Sequence, residues 1–267
     1  MSVVAADLVY YGAANHQETD AGTPQGGAID LTVRVVPNDA AEFNLTSGAD
    51  TITVVSDNAG DTTQTVTVTG RLASGVIDTE ALALNGTTPV VGAKTFERIL
   101  KLVLDAAITG IVTVSETSGA ATIVTYPAST AVRTFRRLFY DAAAEASGGS
   151  TKEYYEKVFI KNENATNALL GVTVKENADP ETDISFALED AVDDSGTSTN
   201  RITIPTASEI GASGFSSADK VLSTETDAST ADLGAGEAIG VWVNATLPAG
   251  EPATKSTWTL EITGTTT

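Results

Sequence analysis

The sequence predicts an all-β protein, and three observations lead there. Apolar and polar residues alternate through many short segments, β-branched Val, Ile and Thr fill those segments, and Gly, Asn, Asp and Pro clusters separate them. The pattern reads as two antiparallel β-sandwich domains, Ig-like or jelly-roll-like, with an extended N-terminal arm. The expected division is an arm over residues 1–28, a β-domain over 29–127, a joint over 128–152 and a β-sandwich over 153–267. A chain of 267 residues can hold two ordinary cores or one large one, so the alternative is a single long sandwich with a large central hairpin.

The joint is read from the stretch 131–161, AVRTFRRLFYDAAAEASGGSTKEYYEKVFIK. Phe135, Phe139 and Tyr140 stand on one side of a small-residue run, and Tyr154, Tyr155 and Phe159 on the other. The run itself, EASGGST, has the composition of a linker or long turn. Arg133, Arg136 and Arg137 form a basic cluster in an otherwise acidic chain. They are candidate interaction residues, together with Leu8, Val9, Tyr10 and Tyr11 near the N-terminus. Those four are too apolar for a purely solvated tail, whereas residues 12–27 have no pattern that folds by itself. The segment is therefore expected to be an arm that orders against a neighbouring subunit, with a solvated tail as the alternative.

Strands are expected at 29–37, 50–56 and 64–70, the last two forming a hairpin about the turn DNAGD, and at 76–84 before the Asn85-Gly86 turn. Residues 95–104, TFERILKLVL, fit both periodicities. Phe96, Ile99, Leu100 and Val103 make a helical stripe, but surrounding strands favour an extended run with 110–114 as its hairpin partner. Further strands are expected at 122–126, 152–162, 168–175, 183–188, 201–205, 237–247 and 257–263. A long polar loop covers 206–235, with a helical turn near Ser217–Val221.

Charge and composition exclude several function classes. There are 35 acidic and 15 basic side chains, a net charge of −20, which repels nucleic acid and anionic membrane surfaces alike. No cysteine is present, so disulfides and thiolate metal sites are ruled out. The N-terminal residues lack the features of a secretory signal, and synthesis in a cytoplasm is expected. His16 is the sole histidine and lies in an expected loop with no nucleophile motif, so neither a Ser-His-Asp site nor a conventional zinc site is expected. The acidic groups at Asp179, Glu181 and Asp183, and at Glu189, Asp190, Asp193 and Asp194, have calcium-like composition without the spacing of a known loop; they read as solvated loops. Trp242 and Trp258 sit in apolar alternation and read as core residues in neighbouring strands, with a sugar-binding platform as the alternative. No catalytic residue, cofactor or metal is expected.

Three stretches together resemble a family of tailed-phage virion structural proteins. The first is DTEALALNGTTPVVGAKTFERIL, residues 78–100, with TGIVTV at 109–114. The second runs from RRLFY at 136–140 through YEKVFIKN at 155–162 to ALL at 168–170. The third is AGEAIGVWVN at 235–244 with LPAG at 247–250. The resemblance implies a non-enzymatic virion component located in the particle and assembled in the host bacterial cytoplasm. Within that class the expected role is a capsid decoration or cement protein on the outside of the head shell. A neck, tail or baseplate protein is the alternative, followed by a surface adhesin or carbohydrate-binding module. Expected partners are the major capsid protein or other virion proteins and further copies of the chain, with no nucleic acid and no membrane.

Overall fold

A computed structural model describes residues 2–15, 26–35, 43, 45–139, 151–178, 183–193, 214–225, 231–250 and 258–266. The described chain is nearly all β. In order it runs through β1 (Leu8–Ala13), β2 (Ile29–Val35), β3 (Ile52–Ser56), β4 (Thr65–Leu72), β5 (Ile77–Ala83), β6 (Val90–Val91), β7 (Phe96–Leu104), β8 (Val112–Glu116), β9 (Thr122–Tyr126), β10 (Arg133–Arg136), β11 (Lys152–Asn162), β12 (Leu169–Ala178), β13 (Ile184–Asp193), β14 (Lys220–Val221), the single helical turn α1 (Leu222–Glu225), β15 (Ala238–Leu247) and β16 (Thr259–Thr266). Two compact units result, one from Met1–Leu31 with Leu138–Thr267 and one from Thr32–Arg137.

The first unit is built around β15. Antiparallel partners flank it, β11 on one side and β13 on the other, and β1 adds to the far edge of β11. Every residue of β15 from Ala238 to Ala245 is buried, so both faces of the strand are covered. The stretch AIGVWVNA, with Asn244 its one polar side chain, suits a strand covered on both faces better than the alternation expected around Trp242. A second sheet, in the order β14-β12-β16, lies against one face. Phe186 of β13 meets Trp258 at 6.2 Å between ring centroids, and the Tyr10 hydroxyl donates to the Leu260 carbonyl at 3.4 Å.

Residues 8–13 differ from the expected arm. They form β1 inside the first unit, with Tyr11 opposite Phe159 and Tyr10 opposite Ile160. Tyr11 and Ala13 pack with Phe159 and Ala238, and burial of that aromatic pair is what fixes the strand. Ala14 and Asn15 donate to the carbonyls of Ala28 and Gly26. The tryptophans also differ from expectation, since β15 and β16 belong to different sheets. Trp242 is fully buried, whereas Trp258 is half-buried.

In the second unit one sheet contains β10-β7-β4-β5, with the end of β2 parallel to β10. The other has the order β6-β3-β8-β9. One apolar core joins them: Ile52, Val54, Val112, Val114 and Tyr126 from the second sheet, and Val66, Val68, Leu82, Phe96, Ile99, Leu102 and Leu104 from the first. The two expected hairpins are not formed. Strands β3 and β4 lie in different sheets, as do β7 and β8. The turns between them carry the chain across the core, because hydrogen bonds tie each turn to the other: Asp57 accepts from Ile111 N at 2.7 Å, and Asp61 from Thr109 N at 2.9 Å and Gly110 N at 3.0 Å. Residues 96–104 are strand, not helix. A register shift opposite Thr69 and Gly70 inserts Leu100 as an extra residue, so Ile99 and Leu100 are both buried and the alternation breaks.

The edge of this unit is protected. Lys94 Nζ donates to the Thr79 carbonyl of edge strand β5 at 2.7 Å and pairs with Asp78 at 2.6 Å, while Glu80 accepts from the backbone N–H groups of Ala93 and Lys94. The expected strand at 201–205, the linker at 145–151 apart from Thr151, and residues 206–213 and 226–230 of the expected polar loop lie outside the described residues.

Two measurements check this packing. Tyr11→Ala should lower unfolding stability by about 3–5 kcal/mol, as for other buried aromatics, in urea titrations. Iodide should scarcely quench Trp258→Phe, which retains only the buried Trp242, and should quench Trp242→Phe clearly.

Candidate functional site

The sequence-predicted interaction residues occupy two places. In the first unit Leu8, Val9 and Tyr10 are half-buried on β1 and Tyr11 is 3% exposed. Burial, reinforced by the charge of Glu261, pushes the Tyr10 hydroxyl above its ordinary pKa. Tyr11 donates to Glu163, and the turn before β1 is fixed by Asp7, which accepts from Val4 N at 2.9 Å and Asn164 Nδ2 at 3.0 Å.

In the second unit Arg133 and Arg136 belong to β10 and Arg137 follows it. Arg136 is 1% exposed and Arg133 and Arg137 are half-buried. Arg137 serves the irregularity of β7. Its backbone N–H bonds the Leu100 carbonyl at 3.0 Å, its Nε the Ile99 carbonyl at 2.9 Å and its Nη2 the Phe43 carbonyl at 2.6 Å. Burial, with the nearby Arg98 charge, lowers its pKa to about 10. The arginine thus satisfies carbonyls at the extra residue of β7.

Buried carboxylates in this unit are turn locks. Asp61 accepts from Ser56 Oγ at 2.7 Å as well as from Thr109 and Gly110. Asp50 accepts from Ser118 N and Oγ, Thr51 N and Ser47 Oγ, and Glu116 from the backbone and hydroxyl groups of Thr46 and Ser47. Burial pushes the Asp50 and Asp61 carboxyls up, but the hydrogen bonds together outweigh it and hold both below the ordinary value.

The sequence reasoning missed one constellation, in the first unit. Lys157 on β11 and Glu189 on β13 form an ion pair, Nζ to Oε1 at 2.6 Å, with no exposed side-chain surface on either. Lys157 Nζ also donates to the Gly27 carbonyl at 3.0 Å and stands 4.6 Å from the Phe159 ring centroid and 5.9 Å from that of Trp242. The carboxylate lies across Gly240, where a Cβ would collide with it. The available signal was position. Lys157 lies within a run expected to be a core strand, where an unpaired lysine is not tolerated.

Glu189 therefore faces inward and is not part of a solvated loop. Asp183 is half-buried; Asp190 and Asp193 are placed on β13 by backbone alone. Asp179, Glu181, Asp194, Tyr140 and His16 lie outside the described residues. Among the described residues no group of three or more His, Cys, Asp or Glu could hold a metal ion. No described helix is long and apolar enough to cross a membrane.

No protein family's sequence profile matches the chain, and no curated protein or solved structure matches it either. Fold and site geometry define a class only: an all-β protein whose buried charged groups bond turns, irregular strands and each other.

The turn locks give a pH dependence with a definite sign. Because the folded carboxyls of Asp50 and Asp61 titrate below their unfolded values, their contribution is fully present above about pH 4 and is lost as pH falls through the folded pKa. Asp61→Ala should cost about 1–3 kcal/mol for each donor left buried and unpaired at neutral pH, and should flatten the acid limb of stability measured by urea titration between pH 7 and pH 3.

Proposed function

We propose that this chain is a structural component of a tailed-phage virion, a decoration or cement protein bound to the outer surface of the head shell. On this reading the two compact units are β-sandwich domains, Ig-like or jelly-roll-like. The protein is not an enzyme and takes no cofactor. Its partners are the major capsid protein or other virion proteins and its own copies, and it resides in the virion.

One observation carries the reading. The buried carboxylates Asp50, Asp61 and Glu116 are occupied by hydrogen bonds from turn residues, which makes them elements of rigidity and leaves none of the three as an open acid or base. The net charge of −20 adds support, because it suits a protein held away from a packaged genome. The three stretches resembling virion proteins add the rest. Exposed aliphatic residues on β5 and β6, Val76 just before β5, Ile77 and Val91, are available for contact with a shell.

The test is binding to purified heads that lack the protein. Recombinant chain should sediment with the shells in hundreds of copies and should raise their resistance to heat. Six or twelve copies at one vertex would move the assignment to the neck, tail or baseplate. Failure to bind any particle, with retention on a polysaccharide matrix, would establish the adhesin or carbohydrate-module reading instead.

A further inference from the structure

We propose that Lys157 and Glu189 condense to an intramolecular amide, an isopeptide bond that staples β11 to β13. The two side chains are held at 2.6 Å, Nζ to Oε1, with no exposed surface. Keeping an ammonium and a carboxylate fully charged in such a place is costly. A single proton transfer along the contact converts them to a neutral amine and a neutral carboxylic acid. An amine fixed beside a carboxylic acid is the reactant pair for amide formation, and fixing it supplies the high effective molarity of an intramolecular reaction. Water is the product of the condensation, so a dry core also disfavours the reverse step.

The surroundings are arranged around this pair. Strand β13 pairs regularly with β15 as far as Leu188 opposite Val241, then resumes with Val192 opposite Ile239. The intervening residues break the register, and this irregularity aims Glu189 across β15. Gly240 leaves the space that the carboxylate occupies. From the other side, Lys157 stands opposite Trp242, with the ring of Phe159 close to its Nζ. The Gly27 carbonyl accepts from the same nitrogen, so one N–H stays anchored while the lone pair of the neutral amine attacks.

The step balances without a co-reactant. The ammonium gives one proton to the carboxylate, and Nζ then adds to the Glu189 carboxyl carbon. A second nitrogen proton passes to a hydroxyl of the tetrahedral adduct. The C–O bond breaks, one water leaves, and the C–N bond remains. Nothing is oxidised or reduced. The resulting link joins two strands that are not neighbours, because β15 lies between them.

The experiment is intact-mass and tryptic analysis of the purified full-length chain under denaturing conditions. The mass should fall short of the sequence mass by one water. Trypsin should fail to cut after Lys157 and should release a branched peptide joining residues 153–161 to residues 176–201. Glu189→Gln should form the same link with loss of ammonia in place of water. The double variant Lys157→Met, Glu189→Leu removes both charges together, which buried pairs tolerate, and should show its full sequence mass. Wild-type protein at its sequence mass, cut normally after Lys157, would overturn the proposal. So would a double variant that still lacks one water.

Discussion

Charged and polar groups buried among the described residues are held by partners within the chain at the turns, beside the β7 bulge and across β15, and much of the described structure follows from these contacts. With no cysteine, covalent ties between half-cystines are not open to it. The strands supply apolar burial, but burial alone does not say where a turn goes. In the second unit the carboxylates do. Asp61 reaches across to Thr109 and Gly110, and Asp57 to Ile111, so two crossing turns are held as one. Gly86 belongs to the same knot: it donates to the Asp61 carbonyl and accepts from Ser56 N. A Cβ there would press on the Ala59 backbone, and its φ is 55°, so a glycine is needed for both reasons. Chain topology here is set by side-chain oxygens as much as by β-propensity.

The sequence revealed the strands more clearly than their partners. Expected strands at 50–56, 64–70, 122–126, 152–162 and 237–247 match observed ones to within two residues at each end, because alternation and β-branched content are local signals. Pairing is not local. Sequential strands usually neighbour one another, and that expectation paired β3 with β4 and β7 with β8. Nothing in alternation distinguishes a turn that folds back within one sheet from a turn that crosses to another. What distinguishes them is the reach of Asp57 and Asp61 to residues some fifty positions away, visible only in three dimensions. The β7 ambiguity has a similar origin. One inserted residue, Leu100, places two apolar side chains in succession, and a bulged strand then imitates a helical stripe.

The candidate residues divide in the same way. Their composition was legible, but not their roles. A basic cluster in an acidic chain suggests a surface, yet Arg136 is buried and Arg137 bonds carbonyls beside the β7 bulge. An apolar N-terminal stretch suggests an arm for a neighbour, yet Tyr11 finds Phe159 in its own unit. In both cases the chain supplies an internal partner far along the sequence. Asn162 shows the same economy: its amide donates to the carbonyls of Asn167, Leu233 and Gly234, tying two loops to the end of β11. No local pattern announces such a residue.

Buried charge is handled differently near a turn and over the middle of a sheet, and the difference has a physical basis. A carboxylate near a turn finds backbone N–H groups unclaimed by a ladder, so Asp50, Asp61 and Glu116 are satisfied by donors that need partners themselves. Within a sheet the ladder has claimed those donors. A carboxylate over the middle of β15 must therefore be met by a side chain, and Lys157 is the cation that reaches Glu189 there. Both groups are then committed. Removing either takes a buried ion-pair partner from the other, a loss of about 3–5 kcal/mol in comparable interiors, whereas an apolar pair of similar volume would fold without that vulnerability. Retaining the charged pair at the centre of the sheet, with an irregular strand and a glycine arranged to hold it, is a poor solution for packing alone. It is a good one for keeping an amine and a carboxyl group in contact and away from water.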